Sequence, residues 1–97
     1  MKIEYPHNRA ISEVMDLLKV YVQRLKEDYS DKISDLNEQW TDDGGSFSAK
    51  IMGFKLDGIF KILSDKIIIE TKLPMMLKAF EPTVKDILFK ELKKVFG

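Results

Sequence analysis

Apolar residues recur along this chain with two different periods, and the periods divide it into elements. "KIEY", Lys2–Tyr5, alternates and predicts a short strand that Pro6 terminates. Asn8 then offers a side-chain oxygen to cap a helix. From there Ile11, Val14, Met15, Leu18, Tyr21, Val22, Leu25 and Tyr29 recur at spacings of three and four. On a helical wheel they occupy an arc of roughly 120°, one stripe that suits a helix lying on a sheet. "SDKISDLNEQ" is polar and mixes a loop with the start of a strand ending at Trp40. "TDDGG", Thr41–Gly45, reads as a turn, with Asp tolerating and Gly supplying positive φ.

Alternation returns after that turn. Ser46–Met52 places Phe47, Ala49 and Ile51 on one side, and Gly53 breaks the run. Phe54–Leu63 forms the next strand, with Gly58 as a bulge or a close-packing point. Ser64-Asp65 turns the chain into "KIIIETKL", giving an antiparallel meander of four strands. The final helix runs from Pro82, a good first-turn residue, to Phe96, with Lys93 and Lys94 at its negative end. Its apolar residues differ from those of the first helix. Val84, Leu88, Leu92 and Val95 lie close together, but Ile87 sits on one shoulder and Phe89 and Phe96 on the other. The arc spans roughly 200°, wider than one flat contact covers. The pattern predicts a two-layer α+β domain over residues 1–97, an antiparallel β-meander with two helices in the order β-α-β-β-β-β-α.

Between the sheet and the last helix lies "KLPMMLKAFEP", which fits neither period. Met75, Met76, Leu77 and Phe80 weigh more heavily as core than as contact surface. The contact reading stands because this run leads into the over-wide helix and methionine adapts to irregular apolar surfaces. Trp40 reads first as a packing residue and second as an amphipathic contact. If the chain has a binding surface, its candidate residues are Met75, Met76, Leu77, Phe80, Ile87, Phe89, Phe96 and Trp40.

Composition narrows the chemistry. The chain has 97 residues, 44% apolar and 33% charged, which suits one ordinary globular domain. With no cysteine, disulfides, thiolate metal sites and a Cys nucleophile are excluded. A single histidine, His7, cannot build an imidazole zinc site, and at a strand–helix junction it reads as a local hydrogen-bonding corner. Asp42 and Asp43 read as a solvated turn, since the alternating ligands of a calcium loop are missing. Ser46, Ser48 and Thr71 have no identifiable base partner, and Gly44-Gly45 is not followed by a phosphate-cradling motif. No catalytic residue, cofactor or metal is therefore expected, and a non-enzymatic role is. Residues 1–48 carry six basic and ten acidic side chains and residues 49–97 ten and six, so halves of −4 and +4 cancel to zero. That balance argues against nucleic acid as a partner. The N-terminal stretch lacks the apolar core of a secretory signal, and no apolar run is long enough for a membrane span; a cytoplasmic location is the expectation.

Several of these residues occur in an order that resembles a known family. Ile3, Pro6 and His7 precede the long helix; Trp40 ends a first hairpin strand; Gly58 is followed by Phe60, Ile62, Ile67 and Ile69. Leu73 and Phe80 then lead to Val84, Ile87 and the closing "VFG". In this order the chain resembles the polyhydroxyalkanoic acid system proteins over nearly its whole length. It departs from them at Lys55, where the family tends to have a second glycine, and in a longer, more polar stretch from Ser30 to Glu38. The resemblance implies a role in bacterial storage-polyester metabolism, with the polymer granule or its coat proteins as partner. It brings no catalytic residue. Two rival expectations stand beside it: a carrier holding an acyl chain in a closed cavity between sheet and helix, and a homodimer formed through the wide face of the last helix.

Overall fold

The structure is a computed structural model that describes residues 1–51 and 53–97. The expected end of the third strand at Met52 lies outside the described residues. The elements are β1 (Lys2–Pro6), α1 (Ile11–Asp28), β2 (Ile33–Trp40), β3 (Gly44–Ile51), β4 (Phe54–Ile62), β5 (Lys66–Lys72), a 3-10 helix (Met75–Phe80) and α2 (Glu81–Phe96). The strands form one antiparallel sheet in the order β1-β5-β4-β3-β2. Four consecutive strands make the expected meander, and β1 returns to pair beside β5. The α+β class and the element order are those that the hydrophobic pattern predicts.

Register explains which residues form the core. Tyr5 pairs with Ile67 and Ile67 with Ile62, so these three side chains form one cross-strand row. Ile3, Ile69, Phe60, Gly45 and Trp40 form the next row across all five strands. Val14, Met15 and Leu18 of α1 and Leu92 of α2 close over these rows. Val14 and Ile67 are fully buried and Ile62 nearly so; each contributes roughly 1.5–3 kcal/mol of hydrophobic stabilisation. The opposite sheet face carries Lys2, Glu4, Glu70, Asp57, Lys61, Lys50 and Gln39, all exposed. Alternation of this kind is what a sheet wetted on one side requires.

Two local expectations change. Asn8 caps nothing: α1 begins after Ala10, without a side-chain cap. His7 holds the corner instead. Its backbone N–H donates to the Asp65 carbonyl at 2.9 Å, and Arg9 N–H donates to its Nδ1 at 3.1 Å. With Nδ1 accepting, Nε2 carries the proton and donates to the Leu63 carbonyl at 2.7 Å. The single histidine thus ties the β1–α1 junction to the β4–β5 turn, the structural role read from its position.

The other change concerns Gly44-Gly45, which begins β3 rather than forming the turn and has no positive φ. The pair is needed for space. A Cβ on Gly45 would strike the Gln39 carbonyl and the Phe60 ring. Its absence lets Trp40 meet Phe60 edge-on at 5.2 Å across the row. Gly58 is likewise a close-packing point and not a bulge, because the Phe47 ring lies where its Cβ would be and the β3–β4 register is unbroken. The bulge falls in β2, between Ser34 and Asn37, where Asp35 takes φ 53°.

Candidate apolar surface at the 3-10 helix and α2

The segment after β5 explains why its sequence has no clear period. Leu73 is buried at the sheet end and Pro74 follows in an extended conformation. Leu77 N–H donates to the Pro74 carbonyl at 2.8 Å, starting a six-residue 3-10 helix. The tighter winding interrupts the 3.6-residue pattern before α2 resumes it. Pro82 sits in the first turn of α2, where its missing N–H costs nothing. Leu73 and the half-buried Leu77 anchor the segment, while Met75 and Met76 point away from it.

Those methionines are 84% and 74% exposed, and Phe80 is 58% exposed. The expectation that this run is mainly core is therefore corrected for these three residues. The cause is topological: β5 ends at Lys72, so residues 75–80 lie past the end of the last strand. Ile87 and Phe89 of α2 are also exposed, at 55% and 42%. Leu92 is the one buried residue among those described in α2.

The eight candidate residues do not form one surface. Ile87 and Phe89 are two positions apart, so they project from opposite flanks of the helix. Phe89 packs edge-on against Tyr5 with centroids 4.9 Å apart, and Phe96 lies 6.2 Å from the same ring. Phe96 packs against the core cluster, as does Trp40. Trp40 is accordingly a packing residue, with the Lys19 amine 5.6 Å above its ring. On the other flank, Phe80, Val84 and Ile87 follow one another at helical spacings of four and three. Met75, Met76 and Phe80 of the 3-10 helix and Ile87 of α2 are the exposed apolar residues at this corner, the junction of the two helices; the three-residue winding turns Met75, Met76 and Phe80 in different directions.

Polar contacts fix the helix behind this corner. Tyr21 of α1 donates to Glu91 Oε2 at 2.7 Å, and Lys94 approaches Glu91 Oε1 at 3.4 Å. Burial, then the bond to Glu91, pushes the Tyr21 hydroxyl above its ordinary range. The same bond holds the Glu91 carboxyl below the usual carboxylate range against a weaker opposing effect of burial. No sequence pattern links Tyr21 to Glu91. They meet because α1 and α2 both cross the same face of the sheet.

Chemistry elsewhere is sparse. Asp43 is paired with Lys61 at 2.6 Å, which lowers its carboxyl. Among the described residues, no group of three or more His, Asp or Glu side chains could hold a metal ion. An open trough of about 690 Å³ crosses the polar sheet face, lined by Asn37, Gln39, Ser46, Ser48, Asp57 and Glu70 among others. Each is the outward member of an alternating pair, which is the signal that places them there. A second depression, lined by Met1, Lys72, Leu73, Lys78 and Glu81, is also open to solvent. Neither has the closed form that an internal acyl-chain carrier requires. No helix among the described residues is long and apolar enough to cross a membrane.

No curated protein and no solved structure matches the chain. Residues 1–96 match the model of a family described as "putative polyhydroxyalkanoic acid system protein". The ordered landmarks from Ile3 to Phe96 and the comparison agree: the chain belongs to the polyhydroxyalkanoic acid system family.

Proposed function

We propose that this protein works in the bacterial cytoplasm as a non-enzymatic binding component of the storage-polyester system, contacting the polymer granule or the proteins that coat it. The observation that carries the reading is the exposure of four large apolar side chains, Met75, Met76, Phe80 and Ile87, along the 3-10 helix and the start of α2. Apolar side chains grouped at a surface mark an interaction site more often than isolated ones do. Family membership supplies the setting, since a polyester phase is an apolar surface that such a corner suits. Burying about 300 Å² of apolar area at 25 cal/mol per Å² would supply several kcal/mol before entropic losses. The rigid sheet and the Tyr21–Glu91 bond present the corner, and no chemical step is involved.

Co-sedimentation with purified granules tests the reading. Wild type is expected in the granule pellet, and Met76→Lys and Ile87→Lys in the supernatant, with all three giving the same circular dichroism. Wild type remaining in the supernatant would remove the granule reading, and equal pelleting of all three would remove this corner as the contact.

A further inference from the structure

The two outer strands of the sheet, β1 and β2, expose their edges differently. β1 is five residues long and closes on Pro6, which has no N–H to offer a neighbour. β2 is eight residues long and contains no proline. Thr41 N–H donates to the Gly44 carbonyl at 2.9 Å, so the two are a hydrogen-bonded pair where β2 turns into β3. Antiparallel pairs alternate, which makes Gln39/Ser46 and Asn37/Ser48 the next hydrogen-bonded pairs. The backbone N–H and C=O groups of Glu38 and Trp40 therefore face away from β3. An open row of this kind is a template for another strand.

One residue interrupts that row. Ser34 pairs with Lys50 and Asn37 with Ser48, so Asp35 and Leu36 stand opposite the single residue Ala49. Asp35 takes φ 53°, a left-handed conformation that is costly for any residue with a side chain. Its local contacts offset little of that cost. The ion pair with Lys50 is 3.9 Å long between exposed side chains, and the Asn37 amide donates to the Asp35 carbonyl at 3.2 Å in an exposed bond. Packing does not call for the residue either. Without Asp35, the side chains of Ile33, Leu36, Glu38 and Trp40 would alternate with those of Ser34, Asn37 and Gln39, in the register observed on both sides of the bulge. Those first four are the half-buried side chains of β2. Asp35 is an extra residue in an otherwise regular strand, and it divides the edge into paired stretches of two and four residues.

We infer that the Asp35 bulge guards the open edge of β2 against strand pairing with a second copy of this chain. A copy is the partner strand always present at equal concentration, and two like edges can meet about a twofold axis. The bulge leaves Glu38 and Trp40 as a short outward row; without it Leu36 would extend that row toward Ile33, whose N–H already donates to the Tyr29 carbonyl at 2.8 Å. Short and bulged edges resist pairing, and long regular ones invite it. The inference concerns the sheet and stands apart from the granule reading.

Sedimentation velocity and amide hydrogen exchange on the whole chain test it. In the wild-type protein the Glu38 and Trp40 amides should exchange much faster than those of Asn37 and Gln39, at rates independent of protein concentration. Deletion of Asp35 should leave the circular dichroism unchanged, raise the sedimentation coefficient above that of wild type at equal concentration, and slow exchange at Glu38 and Trp40. Asp35→Gly keeps the bulge and removes the carboxylate, and it should sediment as wild type does. A deletion variant that sediments as wild type does would overturn the inference, because the edge would need no guard. One that unfolds would also overturn it, because Asp35 would then be required by the fold. Association of Asp35→Gly would transfer the guard from the bulge to the charge, with the same consequence. Association of the deletion variant without slowed exchange at Glu38 and Trp40, or wild-type protection at those amides that rises with concentration, would contradict it too.

Discussion

The two helices are similar in length and both carry apolar stripes, yet they fare differently. α1 buries Val14, Met15 and Leu18 on the side toward the sheet and leaves Val20 exposed on its outer side. α2 buries Leu92 and leaves Ile87 and Phe89 exposed on opposite flanks. The preceding 3-10 helix has no buried residue. The difference teaches that apolar content does not decide burial. Position relative to the sheet does: α1 lies over the strands, while the path into α2 starts beyond the end of β5.

The largest expected effect lies beneath α1. Ile67→Ala removes a fully buried side chain and should cost about 2–5 kcal/mol in urea unfolding. A cost below that range would mean the row of Tyr5, Ile67 and Ile62 is looser than described. Gly58→Ala comes next, because its new methyl group meets the Phe47 ring and the Glu70 carbonyl. It should lower stability by about 1–3 kcal/mol, and the same substitution should cost less when made in a Phe47→Ala background.

The bond joining the helices gives a smaller effect with a pH signature. Tyr21→Phe should cost about 1 kcal/mol at neutral pH. The folded Glu91 carboxyl is held below its ordinary value, so this contribution is present above the unfolded glutamate pKa of about 4.3. It is lost as pH falls through the folded value. Wild type should therefore lose more stability than Tyr21→Phe on acidification across that window; parallel pH profiles would show that the bond does not form in solution. The smallest effect belongs to the corner. Met76→Ser should change stability by no more than about 0.5 kcal/mol, and a larger loss would mean Met76 packs against something.

Much of the fold was legible because local signals agreed with one another. Period-two runs marked the meander, Gly53 and Ser64-Asp65 marked its turns, and the arc of α1 marked its buried face. The Gly44-Gly45 pair misled because turn chemistry and close packing both select glycine, and the Trp40–Phe60 contact that requires the space joins residues 20 apart. The corner was half legible. The excess apolar width of α2, with Ile87 and Phe89 on opposite shoulders, pointed to exposure, but the sequence does not specify that Leu73 is buried while Met75, Met76 and Phe80 wind into an exposed 3-10 helix. Strand order, the Tyr21–Glu91 bond and the path of residues 73–80 depend on long-range pairing that no local pattern encodes.

The central claim is that Met75 and Met76 are open in the free protein and covered by its target. Peroxide footprinting read by mass spectrometry tests both halves, since exposed thioethers oxidise to sulfoxide faster than buried ones. In the free protein, Met75 and Met76 should oxidise much faster than Met15, which is 4% exposed. Added granules should slow Met75 and Met76 selectively. Rates matching that of Met15 without granules, or rates unchanged by granules that pellet the protein, would contradict the account.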